Sequence, residues 1–257
     1  MKRLAIIDLG TNTFNLLVID KLEQGFDEVY STKIGVGLGL GGINKGFIHK
    51  DAMERGLEAL QTFKHKCTEL NVVSIHPFGT SAVRNAANKA EFLEKVEQLL
   101  DAEVEVISGD EEARLIHRGV KLNLPDYTNY LIMDIGGGST EFIFAATNEV
   151  LKAKSFEIGA ARIYQRFDFS DPYSLNDCQK VEGYLEEHTG NFFDSIKTDQ
   201  LVGASGSFET FYELIRDLPY PPGEYIELEK EVLEKELERI IFSTQAERDE
   251  NRRIIPI

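Results

Sequence analysis

The chain is poor in cysteine and poor in positive charge, and each shortage excludes something. Only Cys67 and Cys178 occur in 257 residues, which offers no disulfide framework and no thiolate cluster for a metal. Both are read as small apolar residues on helix faces, and a reducing, cytoplasmic setting is expected. Lys and Arg number 28 against 44 Asp and Glu, a formal charge of −16. General DNA binders and binders of anionic membranes are basic, so neither partner is expected. A metal ion and a few local arginines can still seat a polyanion on such a surface. The opening MKRLAIIDLG imitates a leader only briefly, because Asp8 and Gly10 break its apolar run. No stretch approaches the roughly 18 apolar residues of a membrane span. GxxxxGK[ST] is absent, which excludes a P-loop, and the five histidines show no metal or triad spacing.

What is present is one motif written twice. Residues 6–18 read IIDLGTNTFNLLV and residues 132–144 read IMDIGGGSTEFIF. They align without a gap, Asp8 on Asp134, Gly10 on Gly136 and Thr13 on Ser139. Each copy is an apolar run ending in Asp, a short Gly/Thr/Ser/Asn turn and a second apolar run, the pattern of a β-hairpin. A glycine-rich turn aims several backbone N–H groups at one point and makes an anion nest, and the Asp before it can hold a cation against the anion. Gly10, Thr11, Asn12, Thr13 and Gly136, Gly137, Gly138, Ser139, Thr140 are therefore the candidate phosphate-binding residues, with Asp8 and Asp134 as candidate metal ligands. Two such hairpins imply two related lobes whose turns face each other across a phosphate-sized cleft.

Periodicity fills in the rest. Strands are expected near 3–9, 14–20 and 27–36. A helix follows from Asp51 with Met53, Leu57, Leu60, Phe63, Cys67 and Leu70 on one face, and Asp51 with Glu54 looks like a capping pair. Val72–Phe78 reads as a strand, Asn88 as the cap of a helix facing inward with Phe92, Leu93, Val96, Leu99 and Leu100, and Glu103–Ile107 as another strand. A helix from Gly109 to Leu122 leads to Leu124-Pro125-Asp126, the expected boundary between lobe I (1–124) and lobe II (125–257). Lobe II repeats the order with strands near 129–134, 141–147 and 149–157, helices from about 159 and 175, a strand–turn–helix over Leu201–Leu214, and a charged helix from Glu229 to Ile241. Three strands followed by alternating helices and strands, twice, is a duplicated α/β architecture.

Other segments carry chemistry less directly. Gly37, Gly39 and Gly42 form a GxGxxG, but no helix opens there and no acid follows at the right distance, so the run is read as a flexible loop rather than a dinucleotide turn. In Gly79-Thr-Ser-Ala-Val-Arg84, Thr80 or Ser81 can cap a short helix and Arg84 can fork onto phosphate. In Ser108-Gly-Asp-Glu-Glu112, Ser108 and Glu111 make a capping-box pattern. Glu112 is left over in the first turn, where the helix dipole favours its charged form and where it could accept a proton from water. Gly203-Ala-Ser-Gly-Ser207 could touch the far part of an extended ligand, and Ile158-Gly159-Ala-Ala-Arg162 is a weaker case.

Taken together, the paired DLGTNTFNLLV and MDIGGGSTEF motifs with GTSAVRNA, VISGDEEARLIHRGV and EIGAAR resemble the exopolyphosphatase and guanosine pentaphosphate phosphohydrolase family, within the actin-like ATPase and sugar kinase superfamily. The resemblance implies two ribonuclease H-like lobes, a divalent cation such as Mg²⁺, and removal of the terminal phosphate from inorganic polyphosphate or guanosine pentaphosphate. It makes Glu112, the second Glu of EEAR, the catalytic base, places Asp134 and Glu141 around the metal and the attacking water, and makes Arg84 a phosphate contact. It also implies a further strand and helix after the end of this sequence, so lobe II is expected to be C-terminally incomplete, with an apolar patch near Ile254–Ile257 covered by more chain or by a partner such as a second copy. A small-molecule kinase and a non-catalytic nucleotide sensor of the same superfamily are the alternatives.

Overall fold

The computed structural model describes residues 2–146 and 149–254. They form two compact α/β units, one of residues 2–109 with 160–166, the other of 110–159 with 167–254. The expected boundary at 124–126 therefore falls inside the second unit, between a helix and the strand that follows it.

In the first unit β1 (Lys2–Leu9), β2 (Thr13–Lys21), β3 (Phe26–Gly35), β4 (Ser74–Gly79) and β5 (Glu105–Val106) make a sheet of order β3-β2-β1-β4-β5. β2 is antiparallel to both neighbours and β4 is parallel to β1, the ribonuclease H-like order. Alternation buries Ala5, Ile7 and Leu9 of β1 with Phe14, Leu16 and Val18 of β2. α1 (Lys50–Glu69) lays Met53, Leu60, Phe63 and Cys67 into that core, and α3 (Lys89–Leu100) adds Phe92, Val96 and Leu100.

Two caps differ from the sequence reading. α1 is capped by His49, whose Nδ1 accepts the Asp51 amide at 3.4 Å. Asp51 lies inside the first turn, and Glu54 pairs with Lys50 at 3.9 Å instead of capping. Asn88 stands at the N-cap of α3 without a side-chain cap bond. Its amide instead clamps Ile48, accepting from the Ile48 N–H and donating to its carbonyl, both at 2.9 Å.

In the second unit α4 (Gly109–Val120) leads into β6 (Asn129–Ile135), β7 (Thr140–Ala146), β8 (Glu149–Phe156) and, beyond α6 (Leu175–Thr189), β9 (Leu201–Ala204). The sheet order is β8-β7-β6-β9, with β7 antiparallel to its neighbours and β9 parallel to β6. One face carries Ala113, Tyr130, Ile132, Ile143, Ala145 and Val202. Phe142 packs edge-on against Phe193 at 4.9 Å between ring centroids, next to Phe156 and Phe192. α7 (Gly206–Arg216) and α8 (Lys230–Ile241) complete the unit, and α5 (Ala160–Tyr164) belongs to the first. Among the described residues no helix is long and apolar enough to cross a membrane. The patch expected at Ile254–Ile257 lies mostly outside the described residues, since 255–257 are not among them.

Candidate active site

Both glycine turns are closed by the same device. A Cβ added to Gly10 would sit 2.5 Å from the Thr13 carbonyl oxygen, and one on Gly136 would sit 3.0 Å from the Ser139 oxygen. At the first turn only glycine lets the chain fold back that tightly, and at the second a side chain would have to push the Ser139 carbonyl aside by a few tenths of an ångström. In the second turn the Gly136 amide donates to Ser139 at 3.0 Å. In the first, the carbonyl of Asn12 accepts the amides of Val36 and Gly37 at 2.8 Å, and that of Thr11 accepts Gly39 at 3.0 Å. Among the described residues the amides of Thr11, Asn12 and Gly137 donate to no other backbone group, which leaves N–H groups suited to an anion in each turn.

Each turn is also braced from behind by a second glycine. Gly39 approaches so closely that a Cβ there would lie 2.6 Å from Thr11 Cγ2. At Gly159 it would lie 2.5 Å from the Gly137 and Gly138 backbone, and the Gly159 amide donates to the Gly138 carbonyl at 3.3 Å. The GxGxxG segment is thus strapped to the first turn, not loose: Val36 and Leu38 are buried, and Arg55 donates to the carbonyls of Val36 and Gly37. The segment after the run is a three-residue 3-10 helix, Ile43–Lys45, ahead of α1.

Strand register places the acids. Asp134 on β6 stands opposite Glu141 on β7, and Glu141 opposite Ser155 on β8. Glu141 is only 2% exposed. Its Oε1 accepts the Ser155 hydroxyl at 2.6 Å. Burial, then the charge of nearby Glu112, push the Glu141 carboxyl up to about 8, against hydrogen bonds from Ser155 and Ser139, and Asp134 adds to the rise. Burial also raises Asp134, against a hydrogen bond from Ser205. Ser205 has φ +74° and ψ 171°, a conformation essentially confined to glycine, and its hydroxyl oxygen lies 3.2 Å from the Ile135 carbonyl, which competes with Asp134 for its one hydrogen.

Glu112 sits half-buried in the first turn of α4, beside Asp110 and Glu111. Glu111 pairs with Arg114 at 2.6 Å. The helix is held by Ala113 and by His117, whose Nε2 lies 3.0 Å from the buried Tyr130 hydroxyl; desolvation lowers that imidazole. Glu112, Asp134 and Glu141 are thus brought together in the second unit. Asp8, the first turn and Arg84 belong to the other unit. Arg84 lies on the short α2 (Ser81–Arg84) and gives one N–H to the Ile107 carbonyl at 3.1 Å. Thr80 makes no cap bond and instead donates to the Leu9 carbonyl at 3.3 Å, tying the end of β1 to the start of α2.

Among the described residues no group of three or more His, Cys, Asp and Glu forms a metal cage. The donor set fits a different arrangement. Asp134 and Glu141 are neighbouring hard oxygen donors whose mutual repulsion a divalent cation would relieve, and Mg²⁺ is usually held by one or two carboxylates together with water and phosphate oxygens. Sequence reasoning missed Ser155 and the bracing role of Gly39 and Gly159. Ser155 gives no motif signal and emerges only from register, whereas the two glycines were visible but had no stated partner.

The fold and the site define a duplicated α/β protein with two glycine-closed turns and a buried glutamate, paired with Asp134, beside one of them. The chain belongs to the Ppx/GppA phosphatase family, which it matches over residues 17–253. It is 30% identical over 220 residues to a guanosine-5'-triphosphate,3'-diphosphate pyrophosphatase of Photobacterium profundum, covering 82% of this chain and 43% of that protein. The corresponding Vibrio parahaemolyticus protein is 32% identical with the same coverage. The chain therefore spans under half the length of these relatives. The crystal structure of an exopolyphosphatase from Cytophaga hutchinsonii superimposes with a TM-score of 0.94 at 36% identity, over 99% of this chain and 84% of that one. The Aquifex aeolicus PPX-GPPA enzyme gives 0.79 at 25% identity, over 99% and 86%.

Proposed function

We propose that this protein hydrolyses phosphoanhydride bonds, releasing the terminal phosphate of inorganic polyphosphate or of guanosine pentaphosphate. The observation that carries this reading is the Glu112–Asp134–Glu141 group beside the second glycine turn. A passive anion nest gains nothing from burying a carboxylate against two others, whereas a site that must activate water does. In the second unit the amides of the glycine turn hold phosphate oxygens; in the first unit the matching turn and Arg84 carry the same anion-binding chemistry. Glu112 accepts the proton of the attacking water, with Glu141 orienting that water. Asp134 and Glu141 would hold a divalent cation, which when bound supplies neutralisation of charge on the transferring phosphoryl group. Positioning and charge stabilisation carry most of phosphoryl-transfer catalysis.

The test is phosphate release with no acceptor present, comparing polyphosphate, guanosine pentaphosphate and ATP, with and without Mg²⁺. Release from either of the first two, stimulated by Mg²⁺ and lost in Asp134→Ala, is the expected result. Turnover that requires an acceptor would indicate a kinase. Tight binding without turnover would indicate a sensor.

A further inference from the structure

We infer that Ser155 is a positioning residue for Glu141, and that a hydroxyl at this point on β8 lets a buried carboxylate stay both oriented and reactive. The inference rests on the hydrolase reading above. Its basis is the row that register draws across the second sheet, Asp134 on β6, Glu141 on β7 and Ser155 on β8. The first sheet draws the same row as Asp8, Asn15 and Lys33. Where the first unit places an ammonium group on the third strand, the second places a hydroxyl, 2.6 Å from Glu141 Oε1.

The chemistry of that choice is specific. Glu141 is almost fully enclosed and faces two further acids, so an unheld carboxylate there would turn away from them. A lysine opposite it would fix its orientation but pair off its charge. A neutral donor fixes one oxygen and adds no charge of its own, which leaves the other oxygen to water or to a cation. Because Ser155 is presented by a strand paired to β7 along its length, the donor is placed by backbone geometry and not by a mobile loop. Ser155 itself touches no reacting atom in this scheme.

The test uses the whole chain with polyphosphate and with guanosine pentaphosphate, comparing parent, Ser155→Ala and Ser155→Thr for kcat, KM and thermal midpoint. Threonine keeps the hydroxyl; alanine removes it. The expected result is a fall in kcat of about tenfold to a hundredfold for Ser155→Ala, the worth of one hydrogen bond to a charged group, with KM changed less than about threefold. Ser155→Thr should return to within about threefold of the parent. A Ser155→Ala variant with parental kcat overturns the inference and leaves the hydrolase reading intact. Equal losses in both variants that follow a fall in thermal midpoint assign Ser155 a merely structural role, which also overturns it. A parent that releases phosphate from neither substrate overturns the hydrolase reading and, with it, this one.

Discussion

In the first sheet the middle of the row, Asn15, is exposed and gives its amide N–H to Asp8 Oδ2 at 3.0 Å. In the second sheet the middle position is Glu141, enclosed and turned toward Ser155. The turns beside the two rows are built alike, down to the closing glycine and the bracing glycine. The difference lies in the two strands that follow the turn, Asn15 and Lys33 in the first unit against Glu141 and Ser155 in the second. A hairpin of this kind needs only its turn to hold an anion, and the first unit stops there, with its Asp partnered by a neutral amide. The second unit substitutes a carboxylate and buries it beside Glu112 and Asp134, an arrangement that costs stability and makes sense as chemistry.

The sharpest way to break the comparison is at Glu112. Glu112→Gln keeps size and hydrogen bonding but removes the base, and should lower kcat by about 10²–10⁴-fold. Glu111→Gln, one position away, disturbs the pair with Arg114 and the capping pattern with Ser108, so it should cost stability while leaving kcat within about threefold. Steady-state kinetics on the two variants checks both. A Glu112→Gln enzyme within about threefold of the parent would remove the base from the scheme.

Glu141 makes a prediction about stability as well as activity. Its carboxyl rises from 4.5 to about 8 in the fold. Below pH 4.5 it is protonated folded or unfolded and has no effect on stability. Between 4.5 and 8 the unfolded chain loses the proton while the folded one keeps it, so stability falls as pH rises; above 8 the loss levels off. The metal-free protein should therefore lose thermal stability from pH 5 to pH 8, and Glu141→Gln should flatten that slope. At pH 8 the variant should be more stable by on the order of 4 kcal/mol, while its phosphate release collapses. Thermal melts across that pH range, without divalent cation, measure it. An unchanged slope in Glu141→Gln would mean that another group produces it.

A third test asks whether the brace matters as much as the turn. Alanine at Gly159 would drive its Cβ to 2.5 Å from the Gly137 and Gly138 backbone. Backbone cannot yield as a flexible side-chain tip can, so the turn must shift. A cost of about 1–3 kcal/mol in stability should accompany a rise in KM, because the displaced amides are those assigned to phosphate oxygens. Gly119→Ala meets nothing within 4 Å and serves as the control.

Much of this was legible in the sequence. The repeated hairpin, the order of strands and the grouping of Glu112 with Asp134 and Glu141 follow from periodicity, from one alignment of the chain on itself and from family motifs. The caps were not legible where a competing partner won, as when Asn88 is drawn to Ile48. The glycine run after β3 read as a loop because nothing in a linear pattern shows that Thr11 and Asn12 supply its hydrogen bonds. Ser155 was invisible for the same reason: a cross-strand partner is defined by register, and register depends on turn lengths and bulges such as that between Phe144 and Ala145.

The smallest effect on activity, and the one that isolates what is unusual about Glu141, belongs to another buried carboxylate of the same unit. Asp177 begins α6 in a capping box with Ser174. It accepts the hydroxyls of Ser170 at 2.6 Å and Ser174 at 2.7 Å, the Ser174 amide at 3.0 Å and the Lys180 ammonium at 3.0 Å. These donors, Ser170 foremost, hold its carboxyl well below the usual range. The shifts of the two acids are opposite because burial is the largest cause at Glu141 and hydrogen bonds outweigh it at Asp177. The stability that Asp177 contributes is present above its ordinary value near 4 and is lost as the pH falls below that toward its folded value. Asp177→Asn should therefore lower the thermal midpoint at pH 7, converge with the parent in strong acid, and leave kcat and KM on either substrate unchanged. A variant whose deficit grew instead of shrinking on acidification would mean that the lost neutral hydrogen bonds, and not the charge, are what this cap supplies.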